Sequence, residues 1–143
     1  FGLIGNAVLL ILYLLLIGRG MMITVNASTL FARLIAGAIT LIRHLGFPVN
    51  SDVARWVLAQ EHPQGGFRAV PQAPLPDLLS TATALHALAA LDVRIPSALH
   101  ERCLDFMDTL WTAEGGFHGH WADDFVDAEY TYYGLLALGH LAL

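Results

Sequence analysis

The chain has 143 residues, 56% of them hydrophobic and only 13% charged, with a net charge of −5 at pH 7. That length suits one domain of ordinary size, but soluble domains carry roughly a quarter charged residues, so this one is either rich in core or membrane-associated. An acidic balance without lysine or a basic stripe argues against nucleic-acid binding; the single Cys103 rules out an internal disulfide and a multi-cysteine zinc site, and suits a reducing compartment, the cytoplasm or the cytoplasmic face of a membrane.

Phe1 to Ile17 is almost wholly apolar, broken by Asn6 and two glycines. A membrane-spanning helix needs about twenty such residues, whereas about 10–14 mark a buried helix. Segment 1–20 is therefore expected to be a membrane helix or a buried one, and Arg19 beyond the run suits a cytoplasmic flank. No small-residue cleavage site follows cleanly, which weighs against a signal peptide. Charge is unevenly placed: residues 1–50 hold Arg19, Arg33 and Arg43 and no acid, while 101–129 hold eight acids against Arg102 alone.

After the break at Gly18-Arg19-Gly20, residues 27–45 predict a helix with Leu30, Leu34, Ile35, Ala38, Leu41, Ile42 and Leu45 on one apolar face. Gly46-Phe47-Pro48 stops it. Asn50 or Ser51 caps a second helix, through Val53, Trp56 and Val57 to about Gln60. A turn over 62–66 and a loop with Pro71, Pro74 and Pro76 lead to Asp77, the cap of a helix over 78–91. Pro96-Ser97 opens a fourth helix, whose Leu99, Cys103, Phe106 and Leu110 share one face. A last helix follows Asp127. No segment alternates with a strand period of two, so the fold class is all-α.

Two stretches correspond at an offset of 50 residues. Gly65-Gly66-Phe67 returns as Gly115-Gly116-Phe117, Asp77 as Asp127, Thr81 as Thr131, Leu85 as Leu135 and Leu88 as Leu138. So many matches without a gap make an internal repeat, and a period of roughly 50 residues points to stacked helix-pair units. Shifted back once more, Ala27, Phe31, Ile35 and Leu41 fall on the same positions without the polar signature. The expected organisation is a degenerate repeat over 27–67, a repeat over 77–117 and the start of a further one over 127–143. Since it begins at Phe1 and reaches Leu143 within an apolar helical pattern, the chain is read as a piece of a longer protein.

Gly-Gly-Phe, a loop, Asp, Thr or Tyr and then Ala-Leu resembles the repeat of the α/α-toroid proteins, the prenyltransferase and squalene (terpenoid) cyclase family. Gly65-Gly66-Phe67, Pro71-Gln72, Pro76-Asp77-Leu78, Thr81 and Ala84-Leu85 are most similar to the repeats of protein prenyltransferase β subunits. Arg55-Trp56-Val57-Leu58, Gln60 and Gly65-Gly66-Phe67 are similar to a worn cyclase QW motif, with Phe where Trp is usual. The resemblance covers residues 50–143 well and 27–49 faintly. It implies a partial barrel of concentric helices, residues 21–143 here, around an apolar, aromatic-lined cavity for an isoprenoid or another apolar small molecule. Membrane association and a partner subunit belong to the same expectation.

The resemblance also implies rim chemistry, with Asp123, Asp124, Asp127 and Glu129 as catalytic candidates and Trp121, Tyr130, Tyr132 and Tyr133 as substrate-binding ones. Zinc in protein prenyltransferases is held by Asp-x-Cys and a later His; Asp127 and Tyr130 match, but Glu129 stands at the cysteine position, and capping is the preferred reading of Asp127. The Asp-x-Asp-Asp of proton-initiated cyclases is absent, with Trp121 in its first place. Asp123-Asp124-Phe125-Val126-Asp127 is formally a magnesium-binding DDxxD, yet it lies in a loop rather than on a helix face. His118 and His120 with Asp123 could ligate a divalent metal, though ordinary loop residues are preferred. His86 and His140 are read as hydrogen-bonded cavity or surface groups rather than catalytic ones, and the tyrosines double as plain core. Two functions stay open: an isoprenoid-handling enzyme of transfer or cyclisation, and a toroid without chemistry that binds lipid or protein. A complement-like thioester domain is disfavoured, since its Cys-Gly-Glu-Gln motif is absent.

Overall fold

A computed structural model describes residues 27–143. The apolar run 1–17, with its expected membrane or buried helix, lies outside the described residues. Among those described there are five helices: α1 (Ala27–His44), α2 (Ser51–Leu58), α3 (Leu78–Ala90), α4 (Ser97–Leu110) and α5 (Ala128–Leu141). None of them is long and apolar enough to cross a membrane.

α3 is the centre of the arrangement. It packs against α1 on one side and α5 on the other, while α2 leans on α3 and α4 on α5. The sequence explains the ranking. α3 has buried residues all round, from Leu78, Leu79 and Thr81 to Leu85, Ala87 and Leu88, and a helix apolar on every side needs neighbours on every side. α4 is amphipathic and buries the stripe Leu99, Cys103, Phe106, Met107 and Leu110. α1, α3 and α5 thus form one layer and α2 and α4 a second, the α/α arrangement that the repeat predicts.

The Gly-Gly-Phe corner joins the layers. Gly65 and Gly66 both take positive φ, at 99° and 72°, where a side chain costs about 1–2 kcal/mol. Their lack of Cβ lets α4 approach: a Cβ on Gly65 would strike the Arg102 carbonyl, and one on Gly66 would lie 2.7 Å from the Phe106 ring. Fully buried Phe67 donates its N–H to Thr81 Oγ1 at 2.9 Å, and that hydroxyl donates to the Asp77 carbonyl at 2.8 Å. Thr81 therefore ties corner to helix, which accounts for its return as Thr131, whose hydroxyl reaches the Asp127 carbonyl at 2.8 Å. Asp77 and Asp127 cap their helices as expected, each accepting a backbone N–H three residues on at 2.7 Å. The units also interlock, the Leu78 N–H donating to the Gly119 carbonyl at 2.8 Å.

One expectation is corrected. The predicted apolar face of α1 does not all face the core: among the described side chains Leu41, Ile42 and Leu45 are exposed, Leu34 and Ala38 are half-buried, and Ile39 is buried in the core. α3 meets α1 along the line of Ile39 and Arg43, and Arg43 Nε donates to the Ala90 carbonyl at 2.8 Å while Nη2 pairs with Asp92 at 2.6 Å. α2 ends at Leu58, near the expected end, and the chain then turns to pair Glu61 with Phe67 in an isolated bridge.

Candidate functional site: an inner groove

α1, α3 and α5 leave a groove of about 470 Å³ along their shared layer, lined by Gly37, Thr40, Leu41, His44, Thr83, His86, Tyr132, Tyr133 and Leu136. Every one of these residues comes from the α1–α3–α5 layer. The lining is mostly apolar or aromatic, with hydroxyl and imidazole groups but no carboxylate. Tyr132 and Tyr133 pack edge to face, ring centroids 5.2 Å apart, and present a broad aromatic wall. Exposed Leu41, misplaced on a core face by its periodicity, belongs to this groove.

His86 reaches across to α5, its Nδ1 lying 2.9 Å from His140 Nε2. Burial first, and His86 second, lower the pKa of His140 below its ordinary 6.5. Its Nδ1 is buried and meets no protein partner among the described residues. Thr83 donates to the Leu79 carbonyl at 2.8 Å, so its proton is used within α3.

The candidate residues divide between this groove and the loop before α5. Tyr132 and Tyr133 line the groove; Tyr130 and Trp121 do not. Trp121 instead packs edge-on against Phe106 and His62, centroids 5.5 and 5.9 Å away, and its indole N–H donates to Thr109 Oγ1 at 2.8 Å. The Tyr130 hydroxyl is pushed up to about 12, by burial first and then by Asp123, to which it hydrogen-bonds, with Asp127 and Glu129 adding to the effect. Asp123 also accepts the Phe125 N–H at 3.1 Å. Asp127 caps α5, and Asp124 and Glu129 are exposed near the same helix start. His118 Nδ1 faces the Phe125 carbonyl at 3.3 Å, and His120 Nδ1 accepts the Ala122 N–H at 3.1 Å.

Among the described residues, no three His, Cys, Asp or Glu side chains gather as a metal-ligating group. The donor set explains this: Asp127 is turned to its own helix, Asp123 to its own loop and Tyr130, and a carboxylate stands where a thiolate would bind zinc. These residues do not make a zinc or magnesium site by themselves. Expected as hydrogen-bonded cavity or surface groups, His86 and His140 do share a hydrogen bond, but their pairing was not legible because they are 54 residues apart and fall out of the 50-residue register. The only signal for His86 was its place three residues after Thr83 on an inner helix.

A layer of α1, α3 and α5 backed by α2 and α4, with a groove along it, is an α/α arrangement of helix pairs. The chain belongs to the prenyltransferase alpha-alpha toroid domain family, whose model matches residues 21–142. No curated protein is similar enough to the chain to match it.

Proposed function

We propose that this chain handles an isoprenoid, held in the inner groove, and that prenyl transfer or cyclisation is the chemistry such a site serves. The observation that carries the reading is the groove itself, where Leu41, Tyr132, Tyr133 and Leu136 from two inner helices face one space. An apolar chain laid there gains about 0.8 kcal/mol for each buried CH₂, and the family is one of isoprenoid chemistry. A binding assay with a prenyl alcohol or polyene tests it, with Tyr133→Ala expected to weaken binding about tenfold or more by removing aromatic area. Unchanged affinity in Tyr133→Ala would move the ligand out of the groove.

A second reading has its own support. Two of the four rim acids are engaged in capping and loop bonds, Asp127 with the Tyr130 N–H and Asp123 with the Phe125 N–H, which favours a toroid that binds lipid or protein without chemistry. Turnover separates the two. A protein that binds prenyl chains yet turns over neither allylic diphosphates nor squalene-type polyenes, and contains no zinc, is the binding module. Turnover lost in Asp124→Asn or Glu129→Gln supports the enzyme.

A further inference from the structure

His86 lies on the inner groove, and His140 lies on a second cavity of about 670 Å³ that also takes in Leu88, Ile95, His100, Glu101 and Leu141. The two rings meet between these spaces, His86 Nδ1 and His140 Nε2 being 2.9 Å apart. A hydrogen bond between two imidazole nitrogens holds one proton, so one ring donates and the other accepts. The far side of the pair decides which.

His140 Nδ1 is buried without a protein partner among the described residues. A buried N–H lacking an acceptor is among the rarest unpaired groups in folded proteins, and it suffers the full desolvation penalty of a donor. A bare imine nitrogen is the better tolerated choice there. His140 therefore keeps its proton on Nε2 and donates it to His86 Nδ1, an assignment made from the network. Neutral His86 must then carry its own proton on Nε2. With Nδ1 taken by His140, Nε2–H is the ring donor left for the groove that His86 lines.

We propose that His86, held as its Nε2–H tautomer by His140, recognises a neutral oxygen on the groove's ligand, a hydroxyl or carbonyl, and so selects an oxygen-bearing isoprenoid over the corresponding hydrocarbon. The inference rests on the groove being the ligand site. A hydrocarbon would strip water from the Nε2–H and return no acceptor, whereas an alcohol oxygen satisfies it. His86 is on this account a specificity residue and His140 a positioning residue that acts through it.

Two measurements test the proposal. Farnesol and the hydrocarbon farnesene are titrated against the whole chain and against His86→Phe, which keeps an aromatic ring but no nitrogen. One hydrogen bond of ordinary net strength predicts a preference for the alcohol about 5–10-fold larger in the wild type than in the variant. Farnesene is expected to bind His86→Phe at least as well as the wild type, since the variant has no N–H to strip of water. An equal alcohol preference in both proteins overturns the proposal while leaving the groove reading intact; binding of neither ligand overturns the groove reading and this inference with it. The second measurement needs no variant. Imidazole ¹⁵N shifts of the wild-type chain near neutral pH are expected to show both His86 and His140 as Nε2–H tautomers. A bare Nε2 on His86 would refute the assignment.

Discussion

Gly65 and Gly115 occupy the same place in the repeat with φ of 99° and 89°, yet their surroundings differ: a Cβ on Gly65 would strike the Arg102 backbone, whereas nothing lies within 4 Å of one on Gly115. Gly115→Ala should therefore cost only the left-handed backbone, about 1–2 kcal/mol. Gly65→Ala adds overpacking against a carbonyl that cannot yield cheaply, and should reach about 2–5 kcal/mol in urea unfolding. Equal costs would show that the α4 contact is not as tight as described. Thr81→Val removes the acceptor of the buried Phe67 N–H and should destabilise by about 1–3 kcal/mol. At this scale the sequence was informative. The paired glycines, the threonine and the capping aspartates were all legible, because each answers a local backbone need that recurs wherever the unit recurs. The partnership of His86 with His140 was not, since it joins different registers of two units.

Leu85 and Leu135 make the same comparison between elements. Leu85 is 3% exposed on α3 and Leu135 60% exposed on α5, although they share a repeat position. α3 has a helix packed on either side, and the described residues flank α5 only with α3 and α4. Leu85→Ala is expected to cost about 2–5 kcal/mol, and Leu135→Ala no more than about 0.5 kcal/mol; thermal or chemical denaturation of the two variants reads the difference. The misread face of α1 has the same origin. Periodicity counts every apolar residue as core-facing, but a helix lining a groove carries two apolar surfaces, one for its neighbour through Ile39 and one for the cavity through Leu41. A hydrophobic pattern alone does not tell packing from binding.

For the whole molecule the histidine pair sets a pH dependence. Burial and His86 lower the His140 pKa from 6.5, so over the window just below that value the unfolded chain binds a proton that the folded one resists. Stability should be highest above pH 6.5 and fall as the pH drops towards the lowered folded value. His62, lowered by burial first and Arg68 second, acts in the same direction. His44 lines the groove together with His86, and His100 and Glu101 line the second cavity together with His140. Urea midpoints compared between about pH 7.5 and about pH 5.5 should show the loss, smaller in His140→Gln. A midpoint that rises on acidification would contradict the neutral pair.

Repeat and caps determined, from sequence alone, that this chain is an all-α stack of helix pairs, because periodic burial and helix starts are local properties written into consecutive residues; the toroid family entered as a resemblance of its Gly-Gly-Phe unit. Which residues face the inner space was decided only by the tertiary structure. Two of the rim acids, Asp123 and Asp127, are engaged in a loop bond and a cap, and His86, read from sequence only as a hydrogen-bonded cavity or surface group, lines the groove. That division follows from physics: a carboxylate's local role depends on neighbours a few residues away, while a binding groove exists only once three distant helices are laid side by side.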